Sequence, residues 1–168
     1  NARWFSPPGY GLPLFRDLFT PRQLVALTTF SDLVGEARTQ ALRDGATAER
    51  ADAIATYLAF AVDRAADAWS SLASWRQTVE ATRNTFARQA LPMVWDFAEA
   101  NPFSSSCGNW DDACIGWIYK TLGTVPAYLR GQVRQLDAAK GELKGNPMFS
   151  TDPPYYDNIG YADLSDFF

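Results

Sequence analysis

The chain has 168 residues, 47% of them hydrophobic, with a formal net charge of −4, and this is enough to bury one substantial core. No run approaches the roughly 18 apolar residues of a membrane span, and the first residues lack the charged-then-apolar layout of a signal peptide, so a soluble, cytoplasmic protein without membrane association is expected. Two cysteines, Cys107 and Cys114, stand seven apart and the chain has no histidine, a spacing that matches no common zinc pattern, so neither a metal site nor a disulfide is expected.

In chain order, the first 19 residues are broken by Pro7-Pro8-Gly9-Tyr10-Gly11 and Pro13 and read as an irregular lead-in. Thr20-Pro21-Arg22-Gln23 then spells a helix start, with Thr20 as N-cap, Pro21 at the first helical position and Gln23 placed for a capping box. Leu27, Phe30, Val34, Ala37 and Ala41 follow at helical spacing until Asp44-Gly45. A second helix is predicted from about Ala48, with Ile54, Leu58, Ala61, Ala65, Ala68 and Leu72 on one face and Asp52, Asp63, Arg64 and Asp67 off it.

From Ser70 to Thr85 no period is clean, which predicts a long loop or surface. Phe86, Ala90, Val94 and Phe97 predict a third helix, kinked or restarted at Pro92 and stopped at Asn101-Pro102. Ser104 to Asp112 is loop-like. Ile115-Gly116-Trp117-Ile118-Tyr119 precedes a fourth predicted helix that carries Val125, Tyr128 or Leu129, Val133, Leu136 and Leu143 and ends at Gly141 or Gly145. Trp69, Trp95 and Trp117 sit in apolar helical settings and are assigned to the core. Asn146 to Thr151 reads as a short strand leading into Asp152-Pro153-Pro154-Tyr155, and α/β sheets place ligand sites at such strand ends. The chain therefore divides into a mainly helical region, 1–145, and a strand-and-loop segment, 146–168.

The Asp-Pro-Pro-Tyr loop suits one difficult reaction. The lone pair on an exocyclic amine of adenine or cytosine is delocalised into the ring, so an enzyme that methylates it must accept its protons and align it, after taking the base out of the duplex. In a loop of this type the Asp152 carboxylate and the Pro153 carbonyl can accept both amine protons, and the Tyr155 ring can stack on the base. Pro153 and Pro154 fix φ and hold the turn rigid. The same four residues are also an ordinary turn sequence, so on their spelling alone both readings stand.

The flanks add to this. Ser150 through Phe168 closely resembles the catalytic-loop region of bacterial adenine-specific DNA methylases that carry an N-terminal domain of unknown function, and the stretches Leu18 through Val34 and Asn84 through Phe103 look like the same family. The resemblance implies a Rossmann-like amino-methyltransferase using S-adenosylmethionine, acting on adenine N6 or, alternatively, cytosine N4, in a restriction or phage-defence setting. It also implies roles: Asp152 and the Pro153 carbonyl hold the amine, Pro154 stiffens the loop, and Tyr155 stacks. The chain opens Asn1-Ala2-Arg3-Trp4 without a starter Met and stops at Asp166-Phe167-Phe168. It lacks the Phe-x-Gly-x-Gly turn on which such enzymes seat the methyl donor, and Gly9-Tyr10-Gly11 is too proline-flanked to replace it. We therefore expect an internal segment of a longer enzyme, inactive alone, with its donor pocket mostly elsewhere.

Residues 1–150 hold 15 basic and 15 acidic side chains, and residues 151–168 hold four acids and no base. The helical part is then expected to be a target-recognition insertion with DNA as partner. Lys120, Arg130, Arg134, Lys140 and Lys144 make 120–144 locally basic, with Arg130 and Arg134 on one helix face; phosphate contact is weighed there against plain solvation. Trp75-Arg76 with Arg83-Asn84 is a second basic-aromatic candidate. Neither cysteine follows a proline, which disfavours the covalent chemistry of carbon-5 cytosine methylases. Asp157, Asp163 and Asp166 lack the spacing of a calcium loop. An apolar face covered in the longer enzyme, and the Phe167-Phe168 end, make self-association an additional expectation. The competing reading is a helical nucleic-acid-recognition or assembly module in which Asp-Pro-Pro-Tyr is only a turn.

Overall fold

The computed structural model describes residues 5–87, 90–125, 131–135, 137, 140 and 148–153. Its frame is a helical hairpin of α1 (Pro21–Arg43) and α2 (Ala48–Ala68). Helix α1 begins as the sequence spells it: the Thr20 hydroxyl accepts the Gln23 N–H, and the Gln23 side-chain oxygen accepts the Thr20 N–H at 2.8 Å, closing the capping box. At the other end Gly45 has φ +90, a left-handed conformation that glycine adopts without steric cost, and the Ala46 N–H reaches back to the Ala41 carbonyl at 2.9 Å. The Thr47 hydroxyl then caps α2 by accepting the Arg50 N–H. So short a link makes the two helices antiparallel neighbours.

Two hydrophobic clusters share the C-terminal half of α2. In the first, Leu18, Phe19, Ala66, Leu72 and Leu91 are buried, and Leu24, Leu27, Phe86, Met93 and Val94 pack around them. In the second, Ala61, Ala65, Trp69 and Cys114 are buried among Ala26, Phe30, Trp110 and Ile115. The buried positions of α2 are alanines, so the aromatic rings supply the bulk. Phe30 stacks on Trp110 with ring centres 4.1 Å apart and tilts against Trp69 at 5.6 Å. Trp69 is in the core as expected, whereas Trp95 is 91% and Trp117 53% exposed, contrary to their assignment.

Helix α2 ends at Ala68, short of its predicted face. Trp69 leaves helical geometry, and the Ser70 hydroxyl accepts the Leu72 N–H at 3.0 Å in a local turn. Leu72 still reaches the core from that turn, while Ile54, on the predicted buried face, is exposed. The segment 70–85, predicted as loop or surface, instead carries buried Ser70, Leu72, Ala73 and Thr85 and an antiparallel hairpin. Its strands are β1 (Trp75–Arg76) and β2 (Ala81–Thr82), with Trp75 opposite Thr82. Asp67 ties the return of this hairpin to α2. Its carboxylate accepts the Phe86 N–H at 2.8 Å and bonds the Asn84 side-chain amide, and its carbonyl accepts the Thr85 N–H at 2.9 Å.

The third predicted helix is absent from the described part of 86–100. The chain there is irregular: Leu91 forms a parallel bridge with Phe5, its carbonyl accepts the Ser6 N–H at 3.1 Å, and the Ala98 N–H donates to Ala73 at 2.7 Å. Pro92 brings no N–H to a helical ladder, and these tertiary bonds satisfy the backbone instead. Helix α3 (Trp117–Leu122) forms at the apolar piece that precedes the fourth predicted helix, directly after a π-helical segment at Trp110–Gly116. Residues 131–135 carry no helix, and Val133, expected on the buried side of the fourth, is 99% exposed. An apolar side chain left this exposed gives a helix at 131–135 no tertiary support. Arg134 therefore occupies no helix face. Tyr128, Leu129, Leu136 and Leu143 lie outside the described residues.

Residues 148–151, the described part of the predicted strand, are exposed and unpaired in any sheet. The fold is mainly helical with one two-stranded antiparallel sheet, and among the described residues no parallel sheet accompanies it. No described helix is long and apolar enough to cross a membrane.

Candidate functional site

The structure places the sequence-predicted residues unequally. Asp152 and Pro153 are exposed in a stretch without secondary structure; Pro154 and Tyr155 lie outside the described residues, as do Arg130 and Lys144. Arg134 is exposed and, among the described residues, reaches Gln132 at 3.3 Å. Lys140 pairs with Asp137 at 3.1 Å, an exposed i,i+3 ion pair of the kind that contributes little. The basic stretch 120–144 is thus not gathered into one surface by its described members.

One of its residues, Lys120, does join a site, together with residues from four other parts of the chain. A cleft of about 420 Å³ lies between the end of α2, the hairpin, the 105–109 loop and the π-helical segment, and Arg64, Arg76, Asn84, Ser106, Trp117 and Lys120 are among its lining residues. The Cys107-Gly108-Asn109 corner also contributes. Gly108 has φ +75, and a Cβ on it would come within 2.7 Å of the Ala100 Cβ, so this corner requires glycine. Its carbonyl accepts the Trp69 indole N–H at 2.6 Å, pinning the loop to the core. The next residue, Asn109, caps the π-helical segment by accepting the Asp112 and Ala113 N–H groups at 2.8 and 2.9 Å. Irregular helices of this type recur at functional sites.

The cleft's charge is cationic. Arg64 donates through Nε to the Ala113 carbonyl at 2.5 Å and sets its guanidinium 5.3 Å from the Trp117 ring centre; Lys120 Nζ lies 5.5 Å from the same centre. Both are within cation–π range. Arg76 enters from β1. None of the three cations has a carboxylate partner among the described residues, and one carboxylate, that of Asp112, belongs to the lining. In a chain of net charge −4, this is a local reversal of sign.

The sequence missed Arg64, which appeared only as a polar residue on the outer side of α2, and Trp117, which was assigned to the core. The pairing of Trp117 with Lys120 at i,i+3 was the available signal. Arg76 and Asn84, from the second basic-aromatic candidate, do meet in the cleft; Arg83 points to a separate hollow beside Thr85 and Pro92.

No protein-family model, curated protein or solved structure matches this chain.

Two further hollows carry less chemistry. The N-terminal groove of about 530 Å³ is lined by Phe5, Pro7, Leu12, Phe15, Leu18 and Leu91 without a titratable side chain among them. A second, of about 390 Å³, lies beside the Arg22–Glu99 ion pair, over Trp69 and Phe103. Among the described residues no group of three acidic, Cys or His side chains is placed to hold a metal ion.

The two cysteines are free thiols in different surroundings. Cys114 is buried and its thiol is pushed up to about 11 by burial, whereas Cys107 is partly exposed. Because the thiolate is the reactive species, an aromatic disulfide reagent at pH 8 is expected to titrate one thiol in the folded chain, at Cys107, and two after unfolding in urea. Prompt reaction of both thiols in the folded chain would contradict the packing of Cys114.

Proposed function

We propose that this chain supplies the target-amine loop and helical body of a DNA amino-methyltransferase, with Asp152 and the Pro153 carbonyl accepting the protons of an exocyclic amine, adenine N6 for preference, and Tyr155 stacking on the extruded base. The observation that carries the proposal is the Asp152-Pro153-Pro154-Tyr155 sequence within its flanks, with Asp152 and Pro153 open to solvent. Two acceptors on one amine leave its lone pair for the incoming methyl group, and a proline-stiffened turn holds them without reorganisation.

Among the described residues no glycine-rich turn links a strand to a helix, the type of turn on which such enzymes seat the methyl donor. Gly9 and Gly11 belong to a 3-10 turn and its cap rather than to a strand-to-helix turn, and the sheet consists of two antiparallel pairs of residues. The proposal therefore places the donor site in the remainder of a longer protein. Calorimetric titration of S-adenosylmethionine checks this division: heat of binding is expected with the longer protein and not with this chain. Binding to neither would overturn the proposal in favour of a recognition or assembly module.

A favourable observation for that second reading is the apolar outer surface of the helical hairpin, where Val25, Leu33, Ile54, Tyr57 and Phe60 are exposed. Such a surface suits assembly with another body.

A further inference from the structure

We infer that the cleft around Trp117 binds a single-stranded stretch of nucleic acid, its phosphodiester backbone on Arg64, Arg76 and Lys120 and a base against the open part of the Trp117 ring. Four observations converge. The lining brings together three cations that have no carboxylate partner among the described residues. They come from α2, β1 and α3, so the fold, not a local run of sequence, gathers them. Trp117 is 53% exposed while it lines the cleft, and an indole left open costs apolar contact that the core would otherwise use. Asn84 and Ser106, also in the lining, offer neutral hydrogen-bonding groups suited to phosphate and sugar oxygens.

Size decides between strands. A cleft of about 420 Å³ takes a nucleotide, and a duplex can meet only its rim. Cationic grooves with an aromatic platform are the usual means of holding single strands without reading their sequence. The Asp112 carboxylate on the lining works against the anion and limits the affinity. Arg64 is partly committed, because its Nε holds the Ala113 carbonyl, so Arg76 and Lys120 are the cations to remove without disturbing the fold.

The choice of DNA rests on the proposed methyltransferase function, whereas the cleft's own properties do not. The test is fluorescence anisotropy of a labelled single-stranded deoxyoligonucleotide titrated with this chain, at several salt concentrations and without methyl donor. With three phosphates neutralised, the slope of log affinity against log salt is expected near about −2, from roughly −0.7 per phosphate. Arg76→Glu with Lys120→Glu should weaken binding at least about tenfold and flatten the slope toward about −0.7; the milder pair Arg76→Gln with Lys120→Gln should act in the same direction. Trp117→Ala should weaken binding about tenfold and Trp117→Phe restore most of it. Charge reversal at Arg134 and Lys140, the cations suggested by sequence, should leave binding within about twofold.

No binding by the unaltered chain at low salt, or binding unmoved by both Arg76/Lys120 pairs, overturns the inference, as does a loss confined to the Arg134/Lys140 variant. Since Asp152 and the methyl donor take no part, the two proposals separate. A longer protein that methylates DNA while these pairs bind normally defeats the cleft alone, and cleft-dependent binding without methylation defeats the enzyme reading alone.

Discussion

Trp69→Ala is expected to cost about 3–5 kcal/mol of folding stability, the range for deleting a large buried aromatic ring. Trp69 is 1% exposed and lies against Ala61, Ala65 and Phe30, between α2 and the π-helical segment. Its indole N–H is also the partner of the Gly108 carbonyl at 2.6 Å, so the substitution removes both a packed ring and a buried hydrogen bond. Trp69→Phe separates the two contributions. It keeps most of the ring volume and leaves the Gly108 carbonyl without its donor, which should cost about 1–3 kcal/mol. Urea unfolding followed by circular dichroism gives both values if the slope against denaturant stays constant. A loss under about 1 kcal/mol for Trp69→Ala would mean that the π-helical segment and its loop are not anchored to α2 as described.

The second large effect concerns activity. Under the proposed function, Asp152→Ala in the longer protein that it requires is expected to lower methyl transfer to DNA by about 10²–10³-fold, the scale on which removing one preorganised hydrogen-bonding group acts. Asp152 is exposed, and substitutions at exposed positions usually shift stability by about 0.5 kcal/mol or less, so the unfolding midpoint should move little. Asp152→Asn keeps one oxygen acceptor and should fall between the two.

Which parts of this fold were legible in the sequence follows from where the information is local. The start of α1 depends on Thr20, Pro21 and Gln23, and its end on Gly45, all within a few residues of the bonds they make; both boundaries are spelled directly. Helix α2 shows the next level. Its alanine-rich face was visible, but its end was not, because Trp69 and Ser70 leave the helix to meet partners at Gly108 and Thr85. The third predicted helix fails for a related reason. Phe86 and Val94 are spaced as on a helix and do pack onto the first cluster, but they do so from an irregular layer held by bonds to Phe5, Ser6 and Ala73. Apolar spacing reports burial, and burial does not require a helix.

The candidate sites divide in the same way. Asp152-Pro153-Pro154-Tyr155 is contiguous and could be read from spelling and resemblance. The Trp117 cleft could not, because Arg64, Arg76 and Lys120 lie on three separate elements and become neighbours only through the helical hairpin, the β1–β2 turn-back and the π-helical segment. A count of charges along the chain favoured 120–144, where the described cations other than Lys120 are solvated or paired with a near neighbour.

The measurement that bears most directly on the proposed function is transfer of a labelled methyl group from S-adenosylmethionine to DNA by the longer protein, with Asp152 intact and with Asp152→Ala, the product being identified as N6-methyladenine. Transfer by the intact protein and a loss of about 10²–10³-fold in a variant that unfolds at the same midpoint is the expected result. Transfer retained within a few-fold by the variant, or absent from the intact protein with donor bound, would contradict it.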